Sequence, residues 1–249
     1  TKGMLMFALP MICSNLLQQL YNIVDTLIVG RFIGTGALAA VGSAYTLMTF
    51  IISILLGMCM GSGAIFSIRF GEKRWDHLRE NIFTSFVMIA FFSAVLNILS
   101  FVMIDAIMRF ISVPDEVYGL MREYLLVVFC GIFASFLYNF FASLLRAVGN
   151  SMMPLVFLGV SAVLNIALDL VFVLGFDMGV GGAALATVIS QWIAGAGMMF
   201  YTLVKCPELR PQRRDMRITA AGLGEITGAS VLTCLQQSVM NLGILMVQG

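Results

Sequence analysis

Continuous apolar runs of roughly 20 residues, the length that crosses a bilayer as one helix, determine what this chain can fold into. Short connections separate seven of them: Met4–Val29, Ala44–Phe70, Ile82–Ile104, Leu120–Leu145, Leu155–Gly175, Ala183–Val204 and Ile226–Val247. The runs lack the alternation that is typical of strands. The mean hydropathy is +1.00 and the charged fraction 11%. The sequence therefore predicts an all-α, polytopic membrane protein with seven spans and no soluble domain.

The first and last runs share a short repeat. Leu17-Gln18-Gln19 recurs as Leu235-Gln236-Gln237, and the separation corresponds to six spans. Because transporters are commonly built from such duplications, we predict a six-helix lobe over residues 1–218 and the first helix of a second lobe over residues 219–249. The chain stops as that helix ends, so we expect a fragment of a longer protein in which helix 7 lacks packing partners.

Basic residues are distributed unequally between the two sides of the predicted bundle. Of the 14 Lys and Arg, three fall on the side where helix 1 ends: Arg31, Arg109 and Arg122. The others lie at the N-terminus and around the connections after even-numbered helices: Lys2, Arg69, Lys73, Arg74, Arg79, Arg146, Lys205, Arg210, Arg213, Arg214 and Arg217. The positive-inside rule then predicts a cytoplasmic N-terminus in a bacterial inner membrane. The net charge of +1 gives no indication of a nucleic-acid partner, and we expect none.

Polar residues interrupt the apolar runs at Asp25, Asn165 and Asp169. A carboxylate at the centre of a spanning helix costs roughly 2.5–3.5 kcal/mol on insertion scales, so such a residue usually binds or carries a cation. A structural polar group satisfied between helices is the alternative. A rise of about 1.5 Å per residue places Asp25, Asp169 and Thr187 at similar depth, in the outer half of the membrane.

Helical spacing groups these polar residues further. Asn165 and Asp169 are four residues apart and share one helix face. A polar stripe along helix 1 must face a cavity or other helices: Asn15, Gln18, Asn22 and Asp25. Carboxylate, amide and hydroxyl oxygens are hard ligands, which suit Na⁺ or a proton relay and are poor ligands for zinc or copper.

Other positions have structural interpretations. Pro10 either starts helix 1 or allows a bend within it. Arg146, together with Asn150, is expected to shape an inner loop rather than to touch a substrate. Gly57 and Gly61 form a GxxxG pattern that favours close helix packing. No Walker motif, nucleophile triad or redox motif is present, so we expect neither an enzyme nor a cofactor other than a coupling ion.

Four stretches carry a family resemblance that extends along essentially the whole chain. They are Leu9-Pro10 with Gln18–Asp25, the pattern Gly34-x-x-Ala37-Leu38-Ala39 repeated at Gly181-x-x-Ala184-Leu185-Ala186, Leu145–Asn150 before Pro154, and Asn165-x-x-x-Asp169. On these residues the chain resembles the multidrug and toxic compound extrusion (MATE) transporters, in the branch related to DNA-damage-inducible bacterial transporters. The resemblance implies a twelve-helix, two-lobe protein at full length.

The resemblance also implies a site and a function. The matching cation-site residues are Asp25, Asn165, Asp169 and Thr187, with a backbone carbonyl from Ala183. The cavity-lining residues would be Gln18, Asn22, Tyr124 and Asn139. The implied function is secondary active multidrug efflux. A monomeric transporter in the lipid bilayer would export amphipathic, cationic drugs or toxins in exchange for Na⁺ or H⁺.

Two alternatives remain open. A lipid-linked oligosaccharide flippase belongs to the same superfamily, but such proteins tend to line their cavity with Arg and Lys, whereas the candidates here are acidic. The alternative from another class is an ion channel or a non-transporting membrane scaffold, and a channel would more naturally build a selectivity ring from oligomer symmetry. The internal repeat favours a single-chain transporter instead.

Overall fold

A computed structural model describes residues 2–110, 113–212, 215–216, 218 and 220–248. Within these ranges the chain forms no strand and nine α-helices: α1 (Lys2–Phe32), α2 (Thr35–Gly71), α3 (Trp75–Val102), α4 (Ile104–Phe110), α5 (Asp115–Phe129), α6 (Ile132–Ala147), α7 (Met152–Asp169), α8 (Gly179–Lys205) and α9 (Ala220–Gln248). A π-helical turn, Leu170–Gly175, continues α7, and a 3₁₀ helix, Pro207–Leu209, follows α8. The all-α prediction is confirmed. We call the side on which α1 ends the outer side and the side on which α2 ends the inner side.

The basic residues behind the predicted orientation are only partly covered by the structure. Arg213, Arg214 and Arg217 lie outside the described residues.

Length and hydropathy identify four or five membrane spans among the described residues. In the described part of the chain, α2, α3, α8 and α7 with its π-helical turn are long and apolar enough to cross a membrane, and the pair α5–α6 makes a fifth span if it is counted as one. α1 and α9 are not among them, although both are long helices.

The fourth predicted span is bent rather than straight. α5 and α6 meet at an angle of 47°. At the bend, the N–H of Gly131 donates to the carbonyl of Val128 at 2.8 Å, and the indole of Trp192 donates to the carbonyl of Cys130 at 3.2 Å. A Cβ on Gly131 would lie 2.7 Å from Gln191 Oε1 and 3.1 Å from the Val128 carbonyl oxygen, so the bend is closely packed against α8. The apolar run continues through the bend and therefore gives no sign of it.

α9 packs along α2, so the expectation that helix 7 lacks partners is wrong. A Cβ on Gly57 would lie 2.6 Å from Cys234 Cα, and one on Gly61 would lie 2.7 Å from Ser230 Cα. The two backbones therefore approach each other directly. Close packing at the GxxxG pattern is confirmed, and its partner is α9.

Ion pairs join helices at both ends of the bundle. On the inner side, Arg69 Nη2 donates to both carboxylate oxygens of Glu225, at 2.7 and 2.8 Å, which joins α2 to α9. On the outer side, Asp105 accepts hydrogen bonds from Arg122 Nε at 3.0 Å and from Tyr118 Oη at 2.9 Å. The bond from Arg122, followed by that from Tyr118, lowers the pKa of the Asp105 carboxyl.

Pro10 lies inside α1, which extends back to Lys2, so its interpretation as a helix start is wrong. The Ser14 hydroxyl donates to the Pro10 carbonyl at 2.8 Å. A proline at an interior position removes one backbone hydrogen bond. A bend at Pro10 stays a prediction.

Gly149 and Asn150 shape the inner loop between α6 and α7. Gly149 has a φ of +89°, in the left-handed region that favours glycine. The Asn150 N–H donates to the Leu145 carbonyl at 2.8 Å, and Asn150 Oδ1 accepts from the Met153 N–H at 3.3 Å. These bonds account for the loop without any contribution from the Arg146 side chain.

Candidate functional site

The C-terminal end of α7 and the outer half of α8 bring an amide, a carboxylate and a hydroxyl together. Asn165 and Asp169 are fully buried, and Thr187 is 7% exposed. In the amide orientation that satisfies its neighbours, Asn165 Nδ2 donates to Asp169 Oδ2 at 3.0 Å. Its Oδ1 then accepts from Thr187 Oγ1 at 3.3 Å and from the Thr187 N–H at 3.2 Å. The π-helical turn begins directly after Asp169, and such turns occur frequently at functional sites.

Asp25 of α1 approaches this group from the facing helix. Its carboxyl lies within hydrogen-bonding reach of the Asp169 carboxyl. One oxygen of each, Asp25 Oδ1 and Asp169 Oδ1, is buried and has no hydrogen-bond partner in the part of the chain that the structure describes. No Lys, Arg or His among the described residues forms an ion pair with either acid. The site thus joins a fully buried acid, Asp169, to a half-buried one, Asp25, and the described residues supply no cation to either.

Two tyrosines complete the surroundings of the acids. The Tyr21 hydroxyl lies 3.5 Å from Thr187 Oγ1, and Tyr124, which is 7% exposed, lies within electrostatic range of both acids. We call Asp25, Asn165, Asp169 and Thr187 the acid cluster.

The acid cluster offers a donor set for a hard cation. It contains two carboxylates, an amide and a hydroxyl, and Ala183 lies one turn before Thr187 on α8, buried beside it. Among the described residues, no group of three or more His, Cys, Asp or Glu converges as it would for a transition metal. Oxygen ligands of this kind suit Na⁺, and an orphaned carboxylate oxygen suits a proton equally well.

A cavity of about 400 Å³ lies on the inner side of the acid cluster. It lies between α1, α2, α6, α7, α8 and α9, and its lining is rich in carboxamides: Asn15, Gln18, Asn139, Gln191 and Gln237. Gln18 and Asn139 are thus placed at a cavity. Asn22 is not part of this lining, and its Nδ2 donates to the Tyr45 hydroxyl at 3.3 Å. Tyr124 lies near the acids instead.

The comparison with known families decides the class. The MatE family profile matches residues 10–171, more than half of the chain. The chain belongs to the MATE family. It is 31% identical over 202 residues to the probable multidrug resistance protein YpnP of Bacillus subtilis, which covers 81% of the chain and 45% of that relative. It is 28% identical to DNA damage-inducible protein F of Escherichia coli, over 77% of the chain and 42% of that relative.

The fold agrees with this membership. A solved structure of a multidrug resistance MATE family transporter of the MOP superfamily, in its outward-facing conformation, superposes with a TM-score of 0.91 at 24% identity. The superposition covers 98% of the chain and 54% of that structure. The chain spans about half the length of the curated relatives it matches. It is an integral membrane protein of helices only, within the described residues.

Arg146 of this MATE chain has a position at the cavity that the sequence reasoning missed. Its side chain is half-buried and lines the cavity. Arg146 also belongs to the inner loop, because its carbonyl accepts a hydrogen bond from the Gly149 N–H at 3.0 Å. The loop expectation agrees with this bond, and whether the side chain touches a substrate stays a prediction. Arginine near the inner membrane surface usually indicates orientation. Because this rule already accounted for Arg146, the sequence contained no separate indication that its side chain faces a cavity.

Tyr21 and Gln191 are the other residues that the sequence reasoning missed in this MATE protein. Tyr21 lies three residues after Gln18 and four before Asp25, so it belongs to the polar stripe of α1. Gln191 lies one turn after Thr187 on α8. Helical spacing from the chosen residues would have identified both.

Proposed function

We propose that this chain forms the first half of a secondary active antiporter that exports amphipathic small molecules in exchange for Na⁺ or H⁺. The proposal includes a first lobe over residues 1–218 and the start of a second lobe over residues 219–249. The observation that carries it is the acid pair. The carboxyl groups of Asp25 and Asp169 lie within hydrogen-bonding reach of each other, and the Oδ1 atom of each is buried without a hydrogen-bond donor among the described residues.

A buried pair of like charges needs a neutralising partner. Two carboxylates in contact repel strongly in an apolar environment. A Na⁺ ion would bridge the pair and offset one of its two charges, with neutral oxygen ligands from Asn165, Thr187 and the Ala183 carbonyl. A proton would likewise remove one charge and let one carboxyl donate to the other. Loss of the cation would leave two like charges between α1 and α7. A ligand shifts a conformational equilibrium only by its differential affinity for the two states, and this pair supplies such a difference.

The acids also bear on the exported compound. Two carboxylates beside the cavity favour a cationic group at that end of the molecule. A lipid-linked oligosaccharide flippase would need several cationic side chains to hold a pyrophosphate, and Arg146 is the single charged residue among the described residues that line the cavity. We therefore favour efflux of a small amphipathic compound over lipid flipping.

We further propose that the inner side faces the cytoplasm of a bacterial inner membrane, because the basic residues concentrate there. Lys205 lies at the inner end of α8 and Glu116 at the outer start of α5, and both are exposed. In a background without the native cysteines, Glu116→Cys should react with an impermeant maleimide added to intact cells, and Lys205→Cys should not. The reverse pattern would overturn the orientation and leave the transport proposal in place.

Transport itself is tested on the full-length protein in liposomes. A fluorescent amphipathic dye is loaded, and Na⁺ and pH gradients are imposed separately. Dye movement that is driven by one gradient and stops when the gradient is collapsed supports the antiporter and identifies the coupling ion. Movement that proceeds equally without any gradient contradicts it.

A further inference from the structure

The cavity and the acid cluster carry opposite charges. No Asp or Glu is among the described residues that line the cavity, and Arg146 is its single charged side chain. An isolated guanidinium at the edge of a low-dielectric space is expensive to leave without an anionic or polar partner.

Arg146 has no carboxylate partner within the described ranges. The ion pairs there use Arg69, Arg74, Arg79 and Arg122. Its polar neighbour Tyr138 donates its hydroxyl hydrogen to the Pro154 carbonyl at 3.0 Å. The phenol oxygen can still accept a hydrogen bond, but it does not supply the negative charge that would balance a guanidinium. The planar fork of five N–H donors on Arg146 is therefore available to a ligand.

We propose that Arg146 selects compounds that carry a carboxylate, which it would hold at the inner end of the cavity. The inference rests on the proposed transport function and names the substrate class of the same cavity. Guanidinium and carboxylate match in geometry and form two parallel hydrogen bonds, which makes the pair both strong and directional.

The length of the cavity separates this carboxylate end from the acid cluster. Along α6 the lining extends from Ser135 to Arg146, about 16 Å at a rise of 1.5 Å per residue. Tyr21 lines the opposite part and contacts Thr187 of the acid cluster. A zwitterion, with its carboxylate at Arg146 and its amine towards the acids, fits both ends. The acids favour a cationic group and Arg146 favours a carboxylate, and one zwitterionic molecule can carry both groups.

The remaining lining suits the middle of such a molecule. Carboxamides both donate and accept hydrogen bonds, so they adapt to ring systems with mixed polar groups. Met11, Met60 and Met240 also line the cavity, and methionine repacks readily around different shapes.

A lipid headgroup phosphate shares the anionic oxygen chemistry of a carboxylate, so the experiment must separate the two sources. Two dyes serve as probes: a xanthene with a free benzoic acid and the methyl ester of the same dye. They differ only in the carboxylate. Equilibrium binding to the purified full-length protein in neutral detergent is followed by fluorescence anisotropy, without any gradient, and repeated with added phosphatidylglycerol.

Arg146→Gln should weaken binding of the free acid by about 10- to 100-fold, the range for a charge-assisted hydrogen-bonded pair, and leave binding of the ester unchanged. Arg146→Lys should restore part of the loss, because charge returns without the fork. Arg31→Gln, which removes an exposed arginine from the outer end of α1, is the matched control and should change neither.

Equal weakening of both dyes by Arg146→Gln would overturn the inference, because the residue would then act through the fold. No preference of the unmodified protein for the acid, or an Arg146→Gln variant that still prefers it, would also overturn it. Displacement of the free acid by phosphatidylglycerol from the unmodified protein, but not from Arg146→Gln, would assign the site to a lipid phosphate instead. Selective binding that persists while gradient-driven export fails would contradict only the proposed transport function.

Discussion

The outer and inner halves of the helix bundle carry different polar chemistry. In the outer half, two acids meet with one amide and one hydroxyl, and buried oxygens on both acids lack a donor among the described residues. In the inner half, five carboxamides and one arginine line an open space of about 400 Å³. The first arrangement is short of positive charge and small enough for an ion. The second has neutral donors and acceptors spread over a volume suited to an organic molecule.

If the proposed function holds, the ion site in the outer half and the substrate site in the inner half are coupled without sharing ligands. Tyr21 is the link, because its ring lines the cavity and its hydroxyl contacts Thr187. Substitutions in the outer half should therefore change the ion dependence of export and leave the KM for the exported compound unchanged, and substitutions in the inner half should do the reverse. Tyr21 contacts both halves, so its substitution is the one that can change both.

The largest effect is expected from Asp169→Asn. The substitution keeps the shape and the hydrogen bond with Asn165 but removes the charge that a cation needs, so gradient-driven export should be lost. Expression and thermal stability of the purified protein should be retained, because replacing a buried acid by a neutral group relieves repulsion from Asp25. Efflux under imposed gradients and a thermal unfolding curve provide the two measurements.

Asp105→Asn is the matched control for this loss, because Asp105 is an acid of the outer surface that is paired with Arg122 and remote from the acid cluster. Export should survive that change. If Asp169→Asn instead exports at the normal rate, the acid is structural and the contrast between the two halves disappears.

Thr187→Ala should have a smaller effect. It removes one neutral ligand, a contribution of about 0.5–1.5 kcal/mol, so the half-saturating Na⁺ or H⁺ concentration should rise about 2- to 10-fold. Substrate affinity should stay the same. Thr187→Ser keeps the hydroxyl and should behave like the unmodified protein. Identical ion dependence in the alanine and serine variants would remove Thr187 from the ion site.

Gln18→Ala tests the inner half in the same way. Loss of one cavity carboxamide should raise the KM for the exported dye about 2- to 5-fold, corresponding to about 0.5–1 kcal/mol, and leave the ion dependence unchanged. Gln19→Ala changes the neighbouring glutamine, which is outside the described lining, and should change neither the KM for the dye nor the ion dependence. A shift in ion dependence with Gln18→Ala would show that the halves are not separable.

Tyr21→Phe should have the smallest effect. The ring that lines the cavity stays, and the lost contact with Thr187 Oγ1 is long at 3.5 Å and therefore weak. Both the KM and the ion dependence should change less than about twofold. An effect as large as that of Thr187→Ala would mean that the hydroxyl binds the ion directly.

Local spacing predicted much of the acid cluster, because helical periodicity is fixed by backbone geometry. The four-residue interval from Asn165 to Asp169, and similar depth for Asp25 and Thr187, needed only helix directions. Whether these residues bind a cation stays a prediction. Few polar residues occur inside the apolar runs, because membranes tolerate them poorly. Only a few of them could therefore lie at the same depth and form a common site.

Other features could not be predicted because they depend on contacts between distant segments. The bend at Gly131 is contacted by Trp192 and Gln191 of another helix, and the run of apolar residues continues through it. Arg146 faces a cavity whose walls come from several helices. The GxxxG pattern in α2 predicts close packing with another helix, but it does not identify α9 as that helix.

The contact between α2 and α9 joins two surfaces that respond differently to the solution around them. At its inner end, Arg69 and Glu225 are partly exposed, and ions in solution screen such a pair over a Debye length of about 8 Å at 0.15 M salt. In its middle, Gly57 and Gly61 allow the two backbones to touch, and dissolved ions do not screen such a van der Waals contact. Rising ionic strength should therefore loosen the two helices from the charged end inwards and leave the glycine contact as the last to separate.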